Sequence, residues 1–252
     1  MNTLSSQQIV DMKICGKILK NALDQTELAL KIGVRTIDLD RIAEESIVNA
    51  GARPSFKNYF VEGVGSYPAS LCVSINDEVV HGIPNENRVI KNGDVVSLDL
   101  GAEYHGVCTD MASTIIVGET TDQIKRLVNT TRICLENAIK EVKIGHNIGD
   151  IGAAVERTAA AAGFAVIKDY VGHGIGEKPH MPPSIPNFGK NGSGPKILDN
   201  TALAIEPMIT LGAEYTIPME DGWTAKTEDG SIAAHFEHTV VLENGTVTVV
   251  TL

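Results

Sequence analysis

The sequence predicts an α+β domain made of two similar halves, each with a long helix, a shorter helix and then strands. Two observations lead to this prediction. Motifs recur at an offset of 112 residues, which divides the chain into halves at about residues 5–118 and 120–250. Apolar residues make up 43% of the 252 residues, enough for a sizeable core, so residues 1–252 are expected to form a single domain.

The repeat consists of matching residues at matching places in the order of elements. Lys31-Ile32-Gly33 ends the first long helix, and Lys143-Ile144-Gly145 ends its counterpart. The other matched pairs are Asp38 with Asp150, Glu44 with Glu156, Ala50 with Ala162 and Gly51 with Gly163. Chance matching among common residues is the alternative, but it does not explain the shared order of helices and strands.

In the first half, capping signals and apolar spacing place two helices. Ser5-x-x-Gln8 is a capping box, and apolar residues at helical spacing continue this helix to about Leu30. Thr36 is expected to cap a second helix that ends at Gly51. A short strand at residues 71–75 and a loop at 76–87 are expected to follow.

The second half repeats this order. Thr120-x-x-Gln123 is a capping box before a long helix, and a shorter helix is expected from about Ile148 to Ala162. Residues 179–195, rich in Pro, Gly and Asn, are expected to form an ordered loop over a site and not a strand. The remaining strands are expected at residues 166–171, 201–210 and 235–242.

The most informative stretch is Val95–Val117, which is typical of two strands joined by a turn at Tyr104–Gly106. A turn centred between Tyr104 and His105 would place Asp99 directly opposite Asp110. Facing carboxylates destabilise a sheet unless they share a proton or bind a cation. A shifted register with both aspartates in solvent is the alternative.

The composition excludes several classes of function. A net charge of −11 argues against broad binding to nucleic acids or anionic membranes. No apolar run approaches the roughly 18 residues of a membrane span, and the N-terminus lacks a signal-peptide pattern, so a cytoplasmic location is expected. None of the four cysteines forms a Cys-x-x-Cys pair, which argues against a zinc ribbon or a thioredoxin-like centre.

Four acidic residues on the predicted strands and a histidine on a Gly-rich loop form a candidate ligand set. These residues are Asp99, Asp110, His173, Glu206 and Glu237. Oxygen and imidazole ligands suit Mn, Fe, Co or Zn. Four carboxylates exceed what one catalytic ion needs, and carboxylates can bridge, so a site for two ions roughly 3.5–4 Å apart is expected.

Motifs along nearly the whole chain resemble those of the type I methionine aminopeptidases of the short bacterial kind, within the M24 pita-bread metallohydrolases. The motifs are NDEVVHGIP (76–84), SLDLG (97–101), TDMASTIIVG (109–118), GHGIG (172–176), AIEP (204–207), DGWTAKT (221–227) and FEHTV (236–240). The resemblance implies a pita-bread fold, with pseudo-symmetric halves around a central antiparallel sheet and helices on its outer face. It also implies removal of the N-terminal methionine from nascent proteins whose second residue is small.

The resemblance implies a role for each candidate ligand. Asp99 would chelate one metal, Asp110 and Glu237 would bridge both, and His173 and Glu206 would complete the second. A bridging hydroxide, formed near neutral pH because two cations lower the pKa of water, would attack the methionine carbonyl. Glu206 would accept a proton from that water.

The resemblance implies further roles for residues around the reacting bond. His180 would hydrogen-bond the carbonyl oxygen or the developing oxyanion, and His81 would contact the scissile amide nitrogen. Tyr67, Cys72 and Trp223 would line the methionine pocket. Ordinary core packing is the alternative for these last three residues.

Three positions depart from the family pattern. Val64 stands where a pocket tyrosine is often found, Pro179 where a bulky residue is common, and His235 where Gln is usual. None of them is a candidate ligand, so the departures concern the strictness for methionine and not the hydrolysis. A histidine near Glu237 can also alter the hydrogen bonding of that carboxylate.

Two other functions compete with this hypothesis. An X-Pro aminopeptidase or prolidase has the same five ligands, but usually carries a large extra N-terminal domain. A catalytically inactive pita-bread binding module tends to be basic and to lose ligands. The resemblance implies nascent polypeptide N-termini and a transiently contacted ribosome as partners. A monomer is the default expectation, and the charge and hydropathy predict neither nucleic-acid readout nor a membrane. The chain's own Met1-Asn2 start is expected to keep its methionine.

Overall fold

The computed structural model describes residues 3–252, so the expectation for Met1-Asn2 lies outside the described residues. The helices are α1 (Ser6–Ala29), α2 (Thr36–Asn49), α3 (Asp122–Ile139) and α4 (Ile148–Ala161). The strands are β1 (Arg53–Pro54), β2 (Phe60–Val61), β3 (Gly65–Ser66), β4 (Leu71–Ile75), β5 (Glu78–Val80), β6 (Val95–Tyr104), β7 (Val107–Ile116), β8 (Ala165–Val166), β9 (Val171–Gly174), β10 (Met181–Pro186), β11 (Thr201–Ile205), β12 (Met208–Thr210), β13 (Thr216–Pro218), β14 (Ala225–Thr227), β15 (Ala233–His235), β16 (Glu237–Glu243) and β17 (Thr246–Val249). Of the helices within 3–252, none has both the length and the apolar character needed to cross a membrane.

The helix starts follow the capping signals, with two corrections. The capping box of α1 is confirmed, because the Ser5 side chain accepts from the Gln8 N–H and the Gln8 side chain accepts from the Ser5 N–H. The cap predicted at Thr36 is wrong, because Thr36 is already the first residue of α2. Its hydroxyl accepts from the Asn85 N–H at 2.8 Å and so ties the helix to a loop. The cap of α3 is Thr121, one position later than predicted.

A single antiparallel sheet dominates the fold. Across residues 3–252, nine strands join it in the order β1-β6-β7-β16-β11-β9-β10, with β4 also paired to β6 and β17 to β16. Two shorter sheets have three strands each, in the orders β15-β12-β8 and β13-β14-β5. The two halves of the chain thus meet inside the large sheet, where β7 of the first half pairs with β16 of the second.

The helices pack on one face of the large sheet. In the first half, Val96, Leu98 and Leu100 of β6 lie in one apolar core with residues of α1 and α2. In the second half, Val240 and Leu242 of β16 lie in another core with residues of α3 and α4. Since neighbouring strand residues point to opposite faces, Asp99 of β6 and Glu237 of β16 lie on the face opposite to these apolar residues.

Two strands predicted as continuous are divided, and each division lies at a candidate ligand. Residues 201–210 form β11 in the large sheet and β12 in a small one, because Pro207 has no N–H to continue the ladder. Residues 235–242 are also divided between two sheets, because β15 ends at His235 and β16 begins at Glu237. Glu206 and Glu237 therefore both lie where the chain passes between sheets.

The strand predicted at residues 166–171 is also interrupted, with β8 ending at Val166 and β9 beginning at Val171. The loop predicted over residues 179–195 is wrong in part, because β10 occupies its first half. This strand lies at the edge of the large sheet and shifts register at Pro182-Pro183. Edges and bulges are the places where a sheet tolerates proline, so proline content alone was a misleading signal.

Candidate metal centre and active site

Three neighbouring strands place three carboxylates on one face of the sheet. Asp99 on β6 lies opposite Ala112 on β7, and Ala112 lies opposite Glu237 on β16. Asp110 lies two positions before Ala112 and therefore points to the same face. The small Ala112 side chain leaves the space between the acids open.

The direct pairing of Asp99 with Asp110 that the sequence predicts is wrong by two residues, because Asp110 lies opposite Gly101. The turn explains the shift. His105 and Gly106 both have positive φ, 50° and 81°, as a two-residue type I′ turn requires. The shift of two residues keeps both carboxylates on the same face but makes them diagonal neighbours.

The second half of the chain brings the other two candidate ligands to the same place. His173 on β9 lies opposite Ala204 on β11, and Glu206 follows at the end of that strand. The His173 Nε2 atom is 3.3 Å from Glu206 Oε1. The His173 Nδ1 atom is 3.0 Å from the Gly174 carbonyl, which can only accept, so Nδ1 carries the proton and Nε2 is free to bind a metal.

The five side chains converge in overlapping groups whose ligand atoms lie within 4.8 Å of one another. The groups are Asp99, Asp110 and Glu237; His173, Glu206 and Glu237; and Asp110, His173 and His180. Asp110, His173 and Glu237 each belong to two groups, and Glu237 is the carboxylate that connects the two aspartates with His173 and Glu206. The third group adds His180 as a rival ligand.

Burial makes these acids unfavourable as free anions. It raises the pKa of Asp99 to about 7, and it raises the pKa of Asp110, Glu206 and Glu237 well above the usual range. Among the described residues, Asp99 Oδ1, Asp110 Oδ1 and Glu237 Oε1 are buried without a hydrogen-bond partner. Buried, unpartnered carboxylate oxygens fit divalent cations, which offset their charge. The residues present therefore suit a divalent metal.

The stability of the metal-free protein is expected to fall as the pH rises from about 7.5 to 8.5. In this range the folded chain still holds protons on buried carboxylates, whereas the unfolded chain has released them, so raising the pH favours unfolding. Each such proton lowers the free energy of unfolding by about 1.4 kcal/mol per pH unit. Buried histidines such as His173, whose pKa burial lowers to about 3, are neutral in the folded state. Above about pH 7.5 the unfolded chain has also released most of its histidine protons, so the histidines offset little of the effect.

Chemical denaturation of chelator-treated protein across this range measures the trend, and a metal-loaded sample is the control. The free energy of unfolding of the metal-loaded protein should instead rise with pH, because the metal replaces the protons and binds more tightly as the pH rises. Equal pH profiles for the two samples would show that the carboxylates do not hold the metal.

A cavity of about 270 Å³ opens onto these carboxylates. It is lined by Phe56, Tyr59, Val61, Tyr67, Cys72, Val80, His81, Asp99, Asp110, Tyr170, His173, His180, Glu206, Trp223 and Glu237. All of the predicted site residues are on this surface. Only 4% of the chain is aromatic, yet five aromatic residues meet here, so the scarcity of aromatics was a signal that could have pointed to Phe56, Tyr59 and Tyr170.

The predicted pocket residues contact one another at one end of the cavity. The Tyr67 and Trp223 rings meet edge to face at 5.1 Å between centroids, and the Tyr67 hydroxyl donates to the Gly82 or Leu71 carbonyl. Cys72 on β4 lies opposite Asp99 on β6, so the pocket adjoins the metal ligands directly.

Two histidines that are not candidate ligands, His81 and His180, also line the cavity. His81 has a φ of 60° and packs between Trp223 and Tyr170, with ring centroids 6.1 and 5.4 Å away. Burial lowers the pKa of His81 to about 4, so its ring is neutral at neutral pH. His180 lies at the rim, with its ring 5.0 Å from that of Tyr59.

The three departures from the family pattern have different outcomes. Neither Val64, which is 43% exposed, nor Pro179 is among the described residues that line the cavity. Tyr59 instead supplies an aromatic ring beside His180. His235 is buried, with Nε2 3.8 Å from Glu206 Oε2 and 4.0 Å from Glu237 Oε2, and burial lowers its pKa to about 3.

Comparison with known proteins agrees with this site. The model of metallopeptidase family M24 matches residues 10–244. The chain belongs to metallopeptidase family M24. It is 42% identical to the methionine aminopeptidase of Clostridium acetobutylicum, over 94% of each chain. The crystal structure of the Thermotoga maritima methionine aminopeptidase matches with a TM-score of 0.96 and 41% identity, covering 100% of this chain and 99% of that one.

Another branch of the fold is more distant. The prolidase of Pyrococcus furiosus has a TM-score of 0.77 to this M24 chain at 19% identity, and the match covers 99% of this chain but 65% of that one. This likeness shows the fold alone. The predicted α+β pita-bread fold and the resemblance to methionine aminopeptidases are thus both confirmed.

Proposed function

We propose that this chain is a metal-dependent methionyl aminopeptidase, which removes the N-terminal methionine from nascent proteins whose second residue is small. The observation that carries the proposal is the convergence of five candidate ligands at the floor of a small aromatic cavity. The similarity to methionine aminopeptidases over nearly the whole chain supports the same reaction.

The five converging side chains would hold two divalent ions drawn from Co, Mn, Fe or Zn. Asp99 would bind one ion, His173 and Glu206 the other, and Asp110 and Glu237 both. The overlap of the ligand groups at Glu237 supports this division. When bound, such ions lower the pKa of a water molecule and polarise a carbonyl oxygen.

The remaining chemistry is assigned to side chains on the cavity wall. Glu206 accepts the proton of the attacking water on a carboxylate oxygen that faces the cavity. His180 donates to the carbonyl oxygen as negative charge develops there. His81 hydrogen-bonds the nitrogen of the scissile bond and orients the peptide.

The methionine side chain would lie against Tyr67, Cys72 and Trp223. Thioether sulfur contacts aromatic rings favourably, often at the ring edge, and the edge-to-face pair of Tyr67 and Trp223 offers such contacts. Nascent chains reaching the enzyme in the cytoplasm, with transient association at the ribosome and a monomeric enzyme, complete the proposal.

Cleavage of a Met-Ala-Ser peptide should exceed that of a matched X-Pro peptide by at least about tenfold in kcat/KM, which corresponds to about 1.4 kcal/mol of transition-state binding. The measurement uses added Mn²⁺ or Co²⁺, with a chelator-treated sample as the blank. Equal or faster cleavage of the X-Pro peptide would assign the chain to the prolidase type. If neither peptide is cleaved, with or without added metal, the result would favour the inactive binding module.

A further inference from the structure

His235 is a buried histidine for which the proposed reaction has no use. It is 2% exposed, and its Nε2 atom has no hydrogen-bond partner in the part of the chain that the structure describes. A buried polar group without a partner carries a cost in stability, which an apolar side chain of similar size would avoid. The cost is offset only if Nε2 gains a partner in the working protein.

Two carboxylates lie on the side to which Nε2 points. The Nε2 atom is 3.8 Å from Glu206 Oε2 and 4.0 Å from Glu237 Oε2. An N–H···O hydrogen bond needs about 2.7–3.2 Å, so a movement of about 1 Å by either carboxylate forms one. Glu237 Oε1 also lacks a partner among the described residues, so this carboxylate is not yet fixed on all sides.

The backbone of His235 is held in place by hydrogen bonds to a neighbouring strand. The backbone N–H of His235 donates to Thr114 Oγ1 at 2.9 Å, and the Thr114 hydroxyl donates to the backbone carbonyl of His235 at 2.6 Å. Thr114 Oγ1 also lies 2.8 Å from Ser97 Oγ, which can donate to it. These bonds fix β15 against β6 and β7, the strands that carry Asp99 and Asp110.

We infer that His235 is a positioning residue of the metal centre, whose Nε2–H donates to the Glu206 and Glu237 carboxylates and orients them toward the cations. The inference rests on the proposed metallopeptidase function and extends it to a residue outside the ligand set. Groups that hydrogen-bond to metal ligands fix their orientation, and their loss typically weakens metal binding by about 10–100-fold.

The test compares His235→Leu, which removes the donor, with His235→Gln, which keeps one. Isothermal titration with Mn²⁺ alone, without peptide, measures affinity and stoichiometry. We expect His235→Leu to bind Mn²⁺ about 10–100-fold more weakly, with the same stoichiometry, and His235→Gln to restore most of the affinity. The metal-free His235→Leu protein should unfold at the same temperature as the parent or higher, because the unpartnered nitrogen is gone.

His238→Gln is the matched control, since His238 lies nearby but its Nδ1 bonds to Thr251 Oγ1 at 2.9 Å. It should leave Mn²⁺ affinity unchanged. Parent-like affinity in His235→Leu would overturn the inference. So would weaker binding that appears together with a lower unfolding temperature and is not restored by His235→Gln. Failure of the proposed function would be seen separately from failure of this inference: the unsubstituted chain would bind Mn²⁺ but would not cleave the Met-Ala-Ser peptide.

Discussion

His180→Ala should lower the kcat for a Met-Ala-Ser peptide by about 10²–10³-fold while the metal content per chain stays unchanged. Removing one donor to a developing oxyanion has an effect of about this size in other hydrolases. The loss should be in kcat more than in KM, because the bond strengthens as charge develops on the oxygen. Steady-state kinetics and elemental analysis of the same samples measure the two quantities.

The position of His180 makes this test decisive between two roles. Its ring lies 4.5 Å from that of His173, and a ring nitrogen approaches ligand atoms of Asp110 and His173 within 4.8 Å. A ligand role would therefore show as lost metal in His180→Ala. His105→Asn, in the exposed hairpin turn, is the matched control and should keep both kcat and metal content. Asn tolerates the positive φ of 50° at this position.

Local features of the chain were predictable because they depend on neighbours in sequence. The capping box at Ser5 depends on two residues three positions apart. The helix α4 begins at Ile148, which lies 112 positions after Thr36, the first residue of α2, as the repeat predicts. The five candidate ligands also emerged from the sequence, because motif resemblance covers nearly the whole chain. Their convergence follows from strand order, which the repeat alone did not specify.

The register of the central hairpin was not predictable in the same way. A turn centred on His105-Gly106 and one centred a residue earlier have nearly the same composition, and only the positive φ of both residues distinguishes them. The strand β10 was missed because its prolines are tolerated only through its edge position, a property of the whole sheet. Tyr59 and Tyr170 reach the cavity from distant loops, so no local spacing connects them.

Glu206→Gln should lower kcat by about 10²–10⁴-fold at saturating Mn²⁺, with a small change in KM. The amide keeps the size of the side chain and one oxygen that can bind a metal, but it cannot accept a proton from water. Two effects must be separated, because Glu206 is proposed both as a metal ligand and as the base. Titration with Mn²⁺ gives the concentration at which the variant is saturated, and kcat measured there reports proton transfer.

The pH profile separates the two effects further. In the parent, protonation of Glu206 removes the base, so kcat falls on the acid side. That limb should be absent or displaced in Glu206→Gln. Glu220→Gln, at an exposed position, is the control and should leave the profile unchanged. A loss below about tenfold in the saturated variant would show that Glu206 holds metal without taking the proton, since a positioned base contributes at least about 10²-fold.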